Sequence, residues 1–229
     1  MKFSNLLCIS KRFSMDPTNQ STDTLQDVKD IRQLMERSSR FISLSGMSGV
    51  AAGLCALAGA AIAKFVIFPP YYRAYDDRGY YSGPDFTRLR MELIFLAASV
   101  FAAAVLLAFY FTWQRTRREK VALWNHSSRR LLWNMFVPLA AGGLFIMGML
   151  QYHDWRFVAP ACLLFYGLAL VNASKYTLTD IRYLGYCEIV LGLLNMLWIG
   201  YGLYFWAIGF GVLHILYGII MWWRYEKNG

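Results

Sequence analysis

The sequence predicts an all-α, polytopic membrane helix bundle with six transmembrane helices and both termini in the cytoplasm (N-in/C-in). Three observations predict it. First, six apolar stretches run at 42–68, 91–113, 131–150, 157–171, 181–201 and 203–223. A hydrocarbon core about 30 Å thick takes about 20 mostly apolar residues of helix, so each stretch is a candidate span. Second, 57% of the 229 residues are hydrophobic and only 16% are charged. Third, the 23 Lys and Arg residues are unevenly divided between the two sides that six spans create. Seven lie before residue 41, six between 114 and 130, two at Lys175 and Arg182, and two at Arg224 and Lys227. The other side holds five, and Lys64 sits inside the first span. Cytoplasmic loops are the ones enriched in Lys and Arg. Two termini on one side require an even number of spans, which six satisfies. The net charge of +9 is therefore read as topology, and no nucleic-acid partner is expected.

Residues 1–23 are expected to be a disordered tail, with Met15 an alternative start to Met1. The tail lacks the apolar core of a signal peptide. Residues 24–40 read as an amphipathic juxtamembrane helix, because Leu25, Val28, Ile31 and Leu34 recur at helical spacing. Thr24 with Asp27 resembles a capping box. The domain from 41 to 229 is the six-helix bundle. In its first span Gly46, Gly49 and Gly53 form a stripe of small residues. Such a stripe lets helices approach closely in lipid, either within the bundle or between two copies of the chain.

Pro69-Pro70 is expected to end the first helix and open an external loop over 69–90, rich in tyrosine. Asp76 and Asp77 there have no further ligand at a recognisable spacing, so no metal site is expected. The basic segment 114–130, with Trp124 and His126, is suited to anionic headgroups or a cytoplasmic partner. The connection after the fourth span holds a polar boundary cluster, Asn172, Lys175, Asp180 and Arg182. Thr179 or Asp180 is the expected N-cap of the fifth span. Gly200, Gly202 and Tyr204 suggest a tight hairpin into the sixth. Three of the four cysteines (Cys8, Cys55, Cys162 and Cys187) lie in spans and are expected to be buried, free thiols.

Glu188 is the carboxylate well inside a span. An ionisable group at that depth usually faces the bundle interior, where it pairs or serves a pathway. Counting from Ile181 puts it about 10 Å into the membrane. Matching depths on the sixth span predict Tyr217 opposite it, with His214 about one turn away. Asn195 lies two turns along the same face. These four residues form the candidate intramembrane polar site. It is either a hydrogen-bond network that fixes helix register or a proton or ligand site. Lys64 is expected to snorkel outward.

No HExxH, phosphate-binding loop or dinucleotide fingerprint is present, and no serine-nucleophile motif. His126, His153 and His214 fall at three different levels. His153-Asp154 is the one adjacent acid–base pair at an outer turn. No catalytic residue, metal or cofactor is assigned.

The stretches 165–192 and 40–53 resemble an uncharacterised family of six-span inner-membrane proteins from Bacteroidota-type bacteria. The resemblance runs from about Asp27 to the C-terminus. It implies a multi-pass protein of the bacterial inner membrane and places Asn172, Lys175, Asp180 and Glu188 in the family's characteristic segment. It implies no catalytic role. The expected function is a non-enzymatic membrane sensor or accessory module. Its partners would be membrane lipids or a protein at the cytoplasmic face, and a homo-oligomer is compatible with this. The alternative is a small proton-coupled transporter using Glu188, His214 and Tyr217.

Overall fold

A computed structural model describes residues 45–78, 83–119, 126–152 and 154–227. All fall in one unit, Arg40–Gly229. The expected tail at 1–23, the helix at 24–40, Cys8, Lys120, Trp124 and His153 lie outside the described residues.

Every described element is helical. Helix α1 (Gly46–Ile62) runs through a π-helical turn, Ala63–Ile67, into α2 (Phe68–Arg78). Helix α3 is Gly83–Glu119, α4 is His126–Gln151 and α5 is Val158–Ala173, preceded by a 3₁₀ turn at Trp155–Phe157. Helix α6 (Ile181–Leu197) leads through a second 3₁₀ turn, Ile199–Tyr201, into α7 (Gly202–Trp206). A second π segment, Ala207–Leu213, then joins α7 to α8 (His214–Tyr225). Helices dominate because a lipid-embedded chain must satisfy each backbone N–H and C=O within its own segment. Five stretches are long and apolar enough to cross a membrane: Gly46–Arg73, Gly83–Arg118, His126–Gln151, Trp155–Ala173 and Ile199–Tyr225. At 17 residues, α6 stands at the lower limit for a span. The chain is therefore a helical, multi-pass membrane protein.

Two expectations about the segment 69–90 are corrected. Pro69-Pro70 does not end the first helix, which continues to Arg78. The second helix starts at Gly83 rather than at residue 91, so the described residues of the expected loop, 69–78 and 83–90, are helical. Proline breaks an α-helix because it lacks an N–H and its ring strikes the carbonyl four residues back. Here the turn before the prolines is already widened: Phe68 N–H bonds to Ala63 O, five residues back. A π turn of this kind displaces the preceding carbonyls and gives the rings room.

Backbones meet most closely where glycines face each other. Helices α5 and α6 form the most extensively packed pair. A Cβ at Gly167 would lie 2.7 Å from Gly185 O, and one at Gly185 would lie 2.8 Å from Gly167 O. The stripe of Gly46, Gly49 and Gly53 is covered by the chain's own final helix. A Cβ at Gly46 would reach Gly218 O at 2.5 Å, and one at Gly53 would reach Gly211 O at 2.6 Å. The final helix thus packs on α1 more than on α6, its neighbour in sequence. Helices α3 and α4 sit at the flanks, α3 against α1 and α4 against α5, with no extensive contact between them.

The two ends are tied by polar contacts. At one end Glu226 accepts from Gly46 N–H, at the start of α1, and pairs with Arg115 of α3 at 3.1 Å. An anion at a helix N-terminus meets unpaired N–H groups and the positive end of the helix dipole. At the other end Lys64 donates to the Tyr204 hydroxyl rather than reaching only outward. Cys55 and Cys162 are half-buried and Cys187 is exposed, so the expectation of fully buried thiols is corrected.

Candidate functional site

Helix α6 carries Glu188 and Asn195 seven residues apart, two turns along one face. Both are 0% exposed. The last helix makes room for them with glycine. A Cβ at Gly209 would lie 2.5 Å from Glu188 Oε2 and 2.5 Å from Leu163 Cδ2. A Cβ at Gly202 would come to 3.9 Å from Asn195 Nδ2. Any other residue at Gly209 would displace the carboxyl group.

His214 follows directly on the second π segment. Its Nδ1 is 3.0 Å from Gly209 O and 3.5 Å from Glu188 Oε1. Its Nε2 is 2.7 Å from the Tyr166 hydroxyl. A carbonyl oxygen only accepts, so Nδ1 carries a hydrogen, and in the neutral ring Nε2 accepts from Tyr166. Tyr166 also packs its ring against His214 and Phe210. The buried chain is therefore Glu188, His214, Tyr166, with one long contact and one short hydrogen bond.

The residue beside Glu188 is thus His214, where matching depths predicted Tyr217. The π segment explains the difference. Each widened turn adds a residue and rotates everything after it by about 100° relative to a regular helix. Among the described residues, both Glu188 oxygens, both Asn195 side-chain polar atoms and the Tyr217 hydroxyl are buried without a hydrogen-bond partner. Buried polar groups are rarely left so.

A cavity of about 220 Å³ lies beside this chain. All five candidate spans and α6 contribute to its wall: Gly49 and Ala52 from α1, Ala108 from α3, Met135 from α4, Tyr166 and Ala173 from α5, Leu184 from α6, and Tyr217 and Met221 from α8. The wall is mostly apolar. His214 and Tyr166 reach it, but Glu188 stands behind them and does not line it.

The boundary residues do not converge. Asp180 occupies the N-cap position of α6 but makes no side-chain cap bond. Its carboxylate instead accepts from Arg224 and from the Tyr225 hydroxyl, each at 3.0 Å. Lys175 is exposed and Arg182 half-buried. Asn172 has a separate task. Pro138 lies inside α4 and cannot donate to Asn134 O, four residues back. Asn172 Nδ2 donates to that carbonyl at 2.8 Å, across the α4–α5 contact.

Sequence reasoning did not single out Tyr166, Gly209, Gly211, Gly218, Pro138 or Glu226. The spacing of Gly211, His214 and Gly218 on one helical face was the available signal for the α1 contact. Tyr166 is one of 15 tyrosines and carried none. Among the described residues no group of three His, Cys, Asp or Glu side chains converges to hold a metal ion. No protein-family model matches the chain, and neither a curated protein nor a solved structure is similar to it.

Proposed function

We propose that the chain is a six-span protein of the bacterial inner membrane with both termini in the cytoplasm. In this reading it is a non-enzymatic sensor or accessory module that binds a lipid within its bundle. The uneven distribution of Lys and Arg supports the orientation. The resemblance to six-span proteins of Bacteroidota-type bacteria supports the bacterial membrane. The observation that carries the binding role is the 220 Å³ cavity walled by the five candidate spans together with α6. Its apolar lining suits a hydrocarbon chain, and the unpartnered Tyr217 hydroxyl offers one polar anchor. Helices α3 and α4 flank the cavity and do not pack extensively on each other, which supports entry from lipid between them. Basic residues at the same end, Arg117 over the Trp113 ring among them, suit an anionic headgroup.

The test is native mass spectrometry of protein released from its own membrane. Wild type is expected to retain a lipid that survives delipidating detergent. Ala108→Phe and Ala52→Leu, which fill the cavity, are expected to lose it. Equal retention by all three would refute the reading.

A second reading, a proton-coupled transporter, is favoured by the proximity of Glu188 and His214 with both Glu188 oxygens unpartnered. Its test is proton flux in proteoliposomes. Glu188→Gln should abolish flux if the reading holds, and an unchanged flux would exclude it.

A further inference from the structure

Glu188 has no hydrogen-bond partner and no exposed surface, yet it is one contact away from a residue that reaches the cavity. The titratable groups near it can be taken element by element. Helix α5 offers Tyr166 and Cys162, α6 itself carries Tyr183, Tyr186 and Cys187, the final helix offers His214 and, one turn on, Tyr217, and the π segment Ala207–Leu213 offers none. Of these, His214 stands 3.5 Å from the carboxyl group, and Tyr166 is hydrogen-bonded to His214.

We infer that Glu188 exchanges its proton with the cavity through His214 and Tyr166. The imidazole suits this position because its two nitrogens are separate sites that face opposite neighbours. Nδ1 faces Glu188 and Gly209 O, and Nε2 faces Tyr166. When Glu188 is ionised, a proton from the cavity attaches to the Tyr166 oxygen as the Tyr166 O–H proton passes to Nε2. The ring is then an imidazolium. The Nδ1–H bond breaks and an O–H bond forms at Glu188 Oε1, leaving a neutral ring protonated at Nε2. One proton enters and one carboxylate is neutralised. The ring resets along the reverse path: Nδ1 takes a proton back from Glu188, Nε2 returns one to the Tyr166 oxygen, and the Tyr166 O–H hydrogen leaves to the cavity, so one proton exits and the carboxylate is restored. Gly209 has a specific part: its carbonyl accepts from Nδ1 and fixes the ring beside Glu188, and its missing side chain lets the carboxyl group stand at 3.5 Å.

This inference deepens the transport reading but does not depend on it, because the proton route exists whether or not a solute is carried. The lipid reading can also fail without touching it. The experiment is infrared measurement of the Glu188 carboxyl C=O band in nanodiscs after a jump into D₂O, assigned by its loss in Glu188→Gln. In wild type the band should shift to its deuterated position within seconds. In Tyr166→Phe and His214→Gln the exchange should slow by about 100-fold, the scale on which a positioned proton donor contributes. Tyr217→Phe, which lines the same cavity but is not in the chain, should exchange as wild type does. If His214→Gln fails to fold, Tyr166→Phe carries the test alone, since it removes one oxygen and keeps the ring. Exchange at the wild-type rate in Tyr166→Phe would overturn the inference. So would a wild-type band that does not exchange over hours, or the absence of any protonated band at Glu188 between pH 4 and pH 9, on the scale of a carboxyl group's accessible range.

Discussion

Helices α5 and α6 on one side and α3 on the other meet the membrane in opposite ways. The α5–α6 pair brings backbone to backbone at Gly167 and Gly185, and α6 buries Glu188 and Asn195 completely. Helix α3 is 37 residues long, and none of its spanning window is buried. Phe95, Phe101 and Leu106 on α3 are exposed, as suits a helix solvated by lipid tails. The difference shows where polar groups can be kept in hydrocarbon. A carboxyl group survives only behind close-packed backbone, and close-packed backbone in lipid needs glycine, because apolar side chains gain nothing by leaving lipid for each other. The exposed helix is free of that constraint and carries no polar site at its centre.

The largest effect should come from separating the close pair. Gly167→Leu places atoms where the Gly185 carbonyl stands and should cost about 3 kcal/mol or prevent folding. Gly143, on the flanking helix α4 with nothing within 4 Å, is its control. Steric-trapping unfolding in detergent checks both.

Glu188→Leu breaks the comparison in the other direction. An unpartnered buried carboxyl group is a liability, so replacing it with a hydrophobe of similar size should stabilise the bundle by about 1–4 kcal/mol. Thermal unfolding in detergent should show a raised midpoint together with the loss of proton exchange. A fall in stability instead would mean that Glu188 makes a contact that holds the fold.

Asn172→Leu should cost about 1 kcal/mol, because it leaves the half-buried Asn134 O without its donor. In a Pro138→Ala background α4 supplies its own N–H, and the cost should vanish. A double-mutant cycle measures this coupling. Additive costs would show that Asn172 acts elsewhere.

Glu226→Gln should lose about 1 kcal/mol by weakening the contacts to Gly46 N–H and Arg115, an effect that high salt reduces. The smallest change belongs to the lipid-facing flank. Gly143→Ala should be neutral or stabilise by up to about 1 kcal/mol, since a helix interior favours alanine and no neighbour is met. Both are read from the same unfolding measurement.

The fold was legible because apolar run length is set directly by bilayer thickness. The connections were less so. Pro69-Pro70 reads as a stop only if the preceding turn is α-helical, and nothing in Ala63-Lys64-Phe65-Val66-Ile67 announces a π turn. The same blindness limited the site. Glu188 and Asn195 stood out as polar residues in an apolar run, and their common face followed from their spacing. Their neighbours did not, because the π segment Ala207–Leu213 changes which face of the last helix turns inward. Tyr166 was hidden for another reason: its role depends on the α5–α6 register, which Gly167 and Gly185 fix only in three dimensions.

The most direct test of the cavity as a binding site is cryo-electron microscopy of the protein in nanodiscs made from its native lipids. The expected result is elongated non-protein density between Gly49, Tyr166 and Tyr217, with its polar end at the Tyr217 hydroxyl. A collapsed cavity, or one holding only isolated waters, would contradict it.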